Sequence, residues 1–292
     1  MSEDAVRRER GGAGAAPAAV AADEPGPGPQ SLGKRVLRPE TIGSFVVAAV
    51  ILVFFMRRLQ IDPQAVWDNV QRANPWWLLA AVAIWYSGFI LRAVRWRRML
   101  ALADIDAAHG YAIPTTPGLI EILLLSWFAN CVAPAKLGDA YRCYLLKQES
   151  RAPFSSGLGT LIAERLTDLV VLCFGMLAVG LAIFRGRLPS AAFHTFELGG
   201  ALLAIAAVGL GAMWFFRHAL ERRVPARFQQ QFGRLHDAIF SSMREPWLMI
   251  GVSVAIWLTE GFRFWFVAIS LDAGIPFAAA MFIAMMGSLL TA

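Results

Sequence analysis

Charged residues are scarce in this chain. They make up 16% of its 292 residues, whereas hydrophobic residues make up 57%. A soluble globular domain typically carries about 25% charged residues, so this composition excludes that class and predicts a polytopic membrane protein. The charges that are present cluster at the ends of apolar runs. We therefore interpret the net charge of +6 as topology and lipid-headgroup contact, and not as nucleic-acid binding.

Patterns typical of disulfides, metal centres and catalysis are also missing. The three cysteines, Cys131, Cys143 and Cys173, have no paired spacing, and the four histidines are isolated from one another. No Ser or Cys has a base nearby in sequence, and no glycine-rich phosphate loop follows a strand. The sequence therefore favours a non-enzymatic function, with no catalytic residue, no metal and no cofactor.

The first 40 residues differ from the rest of the chain. They are rich in Ala, Gly and Pro, and they contain no apolar core of the length that a signal peptide needs. Such a composition cannot bury enough apolar surface to fold. We expect residues 1–40 to form a disordered cytoplasmic tail and residues 41–292 to form a membrane domain.

Apolar runs of near-spanning length lie at 41–58, 75–94, 159–184, 197–217 and 246–270, and a sixth begins at 277. The run at 118–133 is different, because its 16 residues cover roughly 24 Å of a hydrocarbon core roughly 30 Å thick. It contains Glu121 and Asn130, and Pro134 and Gly138 then break the helix. We predict a re-entrant helical hairpin here. The predicted fold class is all-α, a polytopic transmembrane helix bundle.

The distribution of Lys and Arg favours the re-entrant topology. If every run crosses and the N-terminus is cytoplasmic, nine basic residues flank the inner ends of the spans and thirteen flank the outer ends. If 118–133 instead returns to its own side, the numbers become seventeen inside and five outside. We therefore predict a multi-pass protein of the cell (inner) membrane with a cytoplasmic N-terminus. Arg57, Arg58 and Arg72 on the outer side run against the rule.

A pattern recurs at offsets of 171 to 173 residues. Pro75-Trp76, Ile84-Trp85, Gly88-Phe89 and Arg92 return as Pro246-Trp247, Ile256-Trp257, Gly261-Phe262 and Arg263. Three crossings in each half would place the second copy upside down, which predicts an inverted repeat of the kind found in many transporters. Chance similarity between Trp-rich membrane helices is the alternative. Because the run from 277 would match 118–133, we expect the chain to be a fragment of a longer protein.

Polar residues concentrate around the break in the short run. A helix that begins near Asp139 would point its positive N-terminal end at the break, with basic side chains beside it. We therefore predict a site for the phosphate headgroup of an anionic lipid, formed by Asn130, Pro134, Lys136, Gly138, Asp139 and Arg142. In the alternative interpretation, Asp139 only caps the helix.

The following span opens with Glu164, Arg165 and Asp168. Glu164 and Asp168 share a helix face, and Arg165 can reach Asp168 at i+3. A charge left unpaired in hydrocarbon costs at least about 2.5 kcal/mol, so Arg142 and Lys136 are expected partners. We predict a charge network that either contacts the ligand or only locks the hairpin to this span. A metal-binding or acid–base role for the two carboxylates is a further alternative.

The sequence also predicts roles for two other pairs of residues. Glu260 and Arg263 lie at i and i+3 within the run 246–270. We expect a self-contained ion pair there that faces the cavity of the predicted headgroup site. Arg95 and Trp96 follow the second run, and we interpret them as an interfacial anchor with snorkelling arginine. Direct contact with anionic lipid is the functional variant of that interpretation.

The segment from Asn130 to Arg142, the Glu164-Arg165 pair with Asp168, and the Arg95-Trp96 pair together resemble the lysylphosphatidylglycerol synthetase transmembrane family, also called flippase-like domain proteins. The resemblance covers roughly residues 41–292. It implies a membrane protein that moves lipids, such as aminoacylated phosphatidylglycerol or polyprenyl-phosphate-linked sugars, between leaflets. The family pattern usually continues with a second Pro- and Gly-rich motif beyond the last run, and no part of this sequence matches the soluble aminoacyl-transferase domain of the synthetases.

Three functions remain open at this stage. The first is a flippase-like protein that binds or translocates an anionic lipid. The second is an intramembrane transferase that acts on a polyprenyl-phosphate substrate, with Asp139 or Glu164 as the base. The third is an accessory subunit that presents lipid to a soluble transferase partner. The oligomeric state stays undetermined.

Overall fold

The computed structural model describes residues 50, 53–54, 56–58, 60, 62–132, 137–184, 190–217 and 223–290. The predicted tail at 1–40, most of the run at 41–58, and the site residues Pro134 and Lys136 lie outside the described residues.

Within these ranges the chain is helical and contains no strand, which confirms the predicted all-α fold. The helices are α1 (Pro63–Arg72), α2 (Pro75–Leu102), α3 (Thr116–Val132), α4 (Leu137–Ser150), α5 (Phe154–Phe184), α6 (Ser190–Phe215), α7 (Ala226–Ser242), α8 (Pro246–Ser270) and α9 (Phe277–Leu290). The chain divides into two compact units, Met1–Trp67 and Asp68–Ala292. The second unit contains α2 to α9.

Four of the described helices, α2, α5, α6 and α8, are long and apolar enough to cross a membrane. Helices α3 and α9 are apolar but shorter. The protein is therefore a multi-pass membrane protein, as predicted. Helix α2 continues well past the predicted end at residue 94, because the arginines that follow find partners within the bundle and do not have to stop the helix.

Helices α2 and α8 form a closely packed antiparallel pair. Each begins with a Pro-Trp dipeptide, and proline at the first helical position removes a backbone N–H that would have no partner there. Contacts near both ends and in the middle fix the pair, each with a donor–acceptor distance of 2.9 Å: Asn74 N with Ser270 O, Arg92 Nη2 with Glu260 Oε1, and Arg98 Nε with Glu245 Oε2.

Helices α3 and α4 pack against each other as a hairpin. The Asn130 side chain accepts a hydrogen bond from the backbone N–H of Gly138 at 2.8 Å, so a residue of α3 caps the start of α4. The Ser126 hydroxyl donates to the Gly138 carbonyl, also at 2.8 Å. A Cβ on Gly138 would overlap the Ser126 carbonyl oxygen. Only glycine permits this approach, which explains the glycine that the sequence places after the break.

The hairpin ends beside the middle of α5. Asp139, in the first turn of α4, pairs with Arg165 of α5 at 2.7 Å. Arg165 lies roughly 16 Å along the helix from Phe154 and roughly 28 Å from Phe184, at 1.5 Å per residue. The facing ends of α3 and α4 therefore lie at an intermediate depth in the bundle.

Helix α7 packs across α5 and the end of α2. Its inward face buries His236 and Ile239. A Cβ on Gly159 of α5 would lie 2.7 Å from both the Ala238 Cβ and the Leu235 carbonyl oxygen, so α7 sits directly on this glycine.

We predict that Gly159→Ala destabilises the protein by about 1–3 kcal/mol, the usual cost of overpacking, because the backbone of α7 blocks the new methyl group. Gly157→Ala is the matched control on the same helix, since its Cβ would meet atoms no closer than 3.5 Å. Thermal unfolding in detergent measures both. Equal midpoints for the two variants would contradict the packing described here.

Candidate functional site

Arg95 of α2 forms the centre of a buried ion-pair network. Its side chain is 1% exposed, and its Nη2 lies 3.1 Å from both Asp168 Oδ2 and Glu164 Oε1 of α5. Its Nη1 donates to Asp168 Oδ1 and to the Ser253 hydroxyl of α8. Arg95 therefore joins three spanning helices through charged and polar contacts.

Arg142 of α4 binds the other side of Glu164. Its two terminal nitrogens donate to the two carboxylate oxygens at 3.3 and 2.9 Å. The guanidinium stacks over the ring of Trp96, 3.8 Å from the centroid, and the Trp96 indole donates to Thr160 at 3.3 Å. The predicted partnership of Arg142 with Glu164 is confirmed.

The interfacial interpretation of Arg95 and Trp96 is wrong. A snorkelling arginine must reach water or headgroups, but both side chains are buried inside the bundle. The neighbouring arginines differ, because Arg97 contacts Thr116 and Arg98 contacts Glu245 at exposed positions. The hydrogen bond from Arg98 holds the pKa of the Glu245 carboxyl below its usual range.

Asp139 and Arg165 form a pair that the helical spacing did not predict. Arg165 donates to Asp139 of α4 at 2.7 Å, whereas the i+3 spacing had pointed to Asp168. Asp168 forms an ion pair with Arg95 instead. Asn130 also donates to Asp139, at 3.1 Å, in addition to capping α4. The Asp139 carboxylate thus links the hairpin to α5.

Glu260 of α8 accepts from two arginines. The predicted bond from Arg263 is present at 2.8 Å, but the pair is not self-contained, because Arg92 of α2 donates to the other carboxylate oxygen at 2.9 Å. Arg92 also lies over the Phe89 ring at 5.6 Å.

We define the central charge cluster as the residues in these contacts: Arg92, Arg95, Asp139, Arg142, Glu164, Arg165, Asp168, Glu260 and Arg263. It holds five arginines and four carboxylates, so the described members carry one positive charge in excess. Charges at membrane depth are costly, and each of these nine side chains has at least one partner of opposite charge.

The cluster borders two adjoining cavities of about 710 and 200 Å³, which we call the central cavity. Both are lined by Asp139, Arg165 and Glu260, and both have Trp85, Trp127 and Trp257 in their walls. Trp85 and Trp127 meet edge to face, with ring centroids 5.1 Å apart. The central cavity therefore combines charged groups with broad aromatic surfaces.

Two residues in the wall of this cavity have a buried donor atom without a hydrogen-bond partner. Among the described residues, the buried side-chain atoms without a hydrogen-bond partner are all nitrogens: Arg95 Nε, Arg142 Nε, His236 Nε2 and Trp257 Nε1. Arg142 lines the smaller part of the central cavity, and Trp257 lines both parts. Unpaired buried donors are destabilising, so a group that fits here should bring hydrogen-bond acceptors.

An apolar crevice of about 160 Å³ lies between α5, α6 and α8, with Leu166, Leu203 and Met249 in its wall. Leu169 and Leu202, from the same faces of α5 and α6, line the central cavity. A polar cavity and an apolar crevice therefore lie along the same two helices. This combination suits an amphiphile with a charged head.

No three His, Cys, Asp or Glu side chains converge as a metal site within the described ranges. Glu164 and Asp168, the carboxylates considered for a metal or for acid–base chemistry, both face Arg95. Their oxygens are occupied as acceptors of arginine N–H groups.

Residues 41–292 match the family model of the lysylphosphatidylglycerol synthase transmembrane region. The chain belongs to this family. The central charge cluster and both parts of the central cavity lie inside the matched range.

Several curated archaeal proteins are similar to parts of this lysylphosphatidylglycerol synthase transmembrane domain. Glycosyltransferase AglD of Haloferax volcanii is 31% identical over 154 residues, which is 52% of this chain and 23% of that protein. A UPF0104 membrane protein of Methanocaldococcus jannaschii is 26% identical over 167 residues, 56% of this chain and 70% of that protein. One from Methanothermobacter thermautotrophicus is 29% identical over 129 residues, 44% of this chain and 34% of that protein. No solved structure matches.

Sequence reasoning missed Arg92, Ser253 and Trp257 as members of the site. A signal was present for two of them, because Trp85 recurs as Trp257 and Arg92 recurs as Arg263. All four line the larger part of the central cavity. Nothing in the sequence marks Ser253, an isolated hydroxyl in an apolar helix.

We predict strong energetic coupling between Arg142 and Glu164. Removing either partner leaves a buried charge and should cost about 3–5 kcal/mol, whereas the double variant Arg142→Met with Glu164→Gln should lose less than the sum of the single losses. Unfolding free energies measured in mixed micelles test this.

The exposed pair of Arg98 and Glu245 is the matched control, because solvent screens it. Its cycle, with Gln at both positions, should give a much smaller coupling. A coupling at Arg142 and Glu164 no larger than that of the control would contradict the buried network.

Proposed function

We propose that this protein binds the phosphate headgroup of an anionic lipid in the central cavity and moves that lipid between the leaflets of the cell membrane. The observation that carries the proposal is the set of unpaired donors in the cavity wall. Arg142 Nε and Trp257 Nε1 lack acceptors in a space bordered by a charge cluster with one surplus positive charge.

A phosphodiester fits these requirements. It carries one negative charge and offers only acceptor oxygens to nearby donors, which Arg and indole N–H groups bind well. The surplus charge of the cluster balances the single charge of such a headgroup. All five arginines of the cluster are already held by carboxylates, so they would keep their positions when the ligand binds.

The hydrocarbon part of the lipid has a separate place in this proposal. The crevice between α5, α6 and α8 is walled by apolar side chains such as Leu203 and Met249. A lipid with its head in the central cavity could leave an acyl or polyprenyl chain in this crevice or in the bilayer beside it. An aqueous anion would gain nothing from that surface.

We further propose that α3 and α4 form a re-entrant hairpin. Asp139, at the hairpin's inner end, reaches Arg165 in the middle of α5. Non-helical chain at membrane depth is tolerated where it is packed in protein or lines a wet cavity. Asn130 of α3 and Asp139 of α4 both line the smaller part of the central cavity. The distribution of Lys and Arg then places the N-terminus and the end of α2 on the cytoplasmic side.

An inverted repeat would explain how the central cavity becomes accessible from both leaflets. A helix with one apolar face, a long helix and a short apolar helix follow one another as α1, α2, α3 and again as α7, α8, α9. Trp85 and Trp257, which occupy matching positions in α2 and α8, both line the central cavity. Rocking of the two halves around this cavity would expose it to each side in turn.

A second candidate is a role within a lipid-linked glycosyltransferase system. It is favoured by the similarity to glycosyltransferase AglD, although the aligned region covers only 23% of that protein. This chain would then present a polyprenyl-phosphate substrate to a separate transferase, or act as the transferase itself. Product formed by the purified protein from a lipid-linked donor would favour the enzyme. Co-purification of a soluble transferase, without transport by the protein alone, would favour the accessory role.

We predict that Trp257→Phe weakens binding of short-chain phosphatidylglycerol roughly tenfold, because the ring is kept and a donor to a charged acceptor is lost. Titration of the detergent-purified protein with this lipid gives the dissociation constant. Transport of phosphatidylglycerol in proteoliposomes should fall in parallel.

Trp247→Phe is the matched control, since Trp247 lies on the same helix and is 84% exposed. It should leave both measurements unchanged. If Trp257→Phe binds phosphatidylglycerol as tightly as the wild type, or if phosphatidylcholine binds equally well, the headgroup site is not where we place it.

The topology makes a separate prediction. In a variant without the native cysteines, Lys147→Cys in α4 should react with a membrane-impermeant thiol reagent only from the cytoplasmic side. Ala273→Cys, just after α8, should react only from the opposite side. If α3 instead crosses the membrane, the two sides are exchanged, so labelling of Lys147→Cys only from the periplasmic side would rule out the re-entrant arrangement.

A further inference from the structure

A second cavity, about 780 Å³ in volume, lies where α2 ends and α5 begins. We call it the His236 cavity, and its wall includes Trp214, Arg217, Arg234, His236, Asp237 and Arg244. It shares no lining residue with the described walls of the central cavity. The proposed lipid movement makes no use of it.

His236 is the only histidine buried among the described residues, at 3% exposure. Its Nδ1 lies 3.1 Å from Asp237 Oδ1, and its ring packs 4.7 Å from Phe240, centroid to centroid. Its Nε2 is buried and has no hydrogen-bond partner in the described part of the chain. A buried ring nitrogen in a cavity wall without a partner points to a group that is supplied from outside.

The charges around His236 come from three elements. Helix α7 contributes Arg234 and Asp237 at i and i+3, and the turn after it contributes Arg244. From the end of α6, Arg217 binds Asp237 at 3.2 Å, so that carboxylate is already engaged. The loop after α2 adds Asp104 and His109 to the wall, and the start of α5 adds no charge. Within the described residues, Arg234 and Arg244 have no carboxylate partner.

We propose that the His236 cavity is a second oxyanion site, which holds a phosphate group at the membrane surface at this end of the bundle. The protonated His236 ring donates from Nε2, while Arg234 and Arg244 supply the neutralising charge. Trp214 and Phe240 form an aromatic wall for whatever carries the phosphate. A lipid headgroup and a soluble phosphate ester share this chemistry.

The role of His236 gives binding a defined pH dependence. With Nδ1–H directed at Asp237, the neutral ring offers only an acceptor at Nε2, whereas the protonated ring offers a donor. An oxyanion therefore selects the protonated form, so binding weakens at higher pH, where the ring loses its proton.

Histidine-selective NMR of the full chain in phosphatidylcholine nanodiscs tests the site. The sequence has four histidines, and His236→Gln identifies the resonance of interest. Sulfate is the soluble probe, because it is a tetrahedral oxyanion that does not titrate between pH 6 and pH 8. Phosphatidylglycerol in the nanodisc is the lipid probe. We expect one of them to shift the His236 resonance at pH 6 and to lose this effect at pH 8.

A shift with sulfate assigns the site to a soluble oxyanion, and a shift with phosphatidylglycerol alone assigns it to a lipid headgroup. Arg234→Gln should reduce the shift at least several-fold. Arg227→Gln is the control on the same helix, since Arg227 stacks over Phe228 and does not line the cavity. No shift with either probe, or equal loss in both variants, would overturn the proposal.

Discussion

Arg95 and Arg142 hold Glu164 between them inside the bundle, with no more than 5% of any of the three side chains exposed. Neither lipid nor an apolar protein interior solvates an isolated charge, so each of these groups depends on the others. They come from α2, α4 and α5. The pairing therefore fixes two spanning helices and the α3–α4 hairpin to one another, and the walls of the central cavity follow from it.

The same ion pairs divide the arginine nitrogens into those that hold the structure together and those that are left for a ligand. Carboxylates occupy the terminal nitrogens of Arg142 and Arg95, which keeps both guanidinium groups in place. What remains for a ligand is the residual donor capacity, at Arg142 Nε and Trp257 Nε1, together with a surplus charge of one unit. In the proposed function, an acceptor-rich anion is the group that would use these donors.

Much of this fold follows from sequence alone, because long apolar runs and prolines fix the positions of spanning helices. The short run before Pro134 and the pair of Arg142 with Glu164 were predictable from length and charge. The roles of Arg92 and Arg95 were not. Arginines near the end of an apolar run are typical of membrane interfaces, and only tertiary packing against α5 and α8 provides buried carboxylates there. The choice of Asp139 over Asp168 by Arg165 likewise depends on where α4 docks.

The α2–α8 pair, tied near both ends and at its middle, has a mechanical consequence. A slip by one helical turn moves a chain about 5.4 Å, which would break all of those ties together. These two helices therefore form the fixed part of the bundle. No member of the central charge cluster lies on α6, which faces α8 across a mostly apolar crevice, so α6 is not tied to the pair in this way.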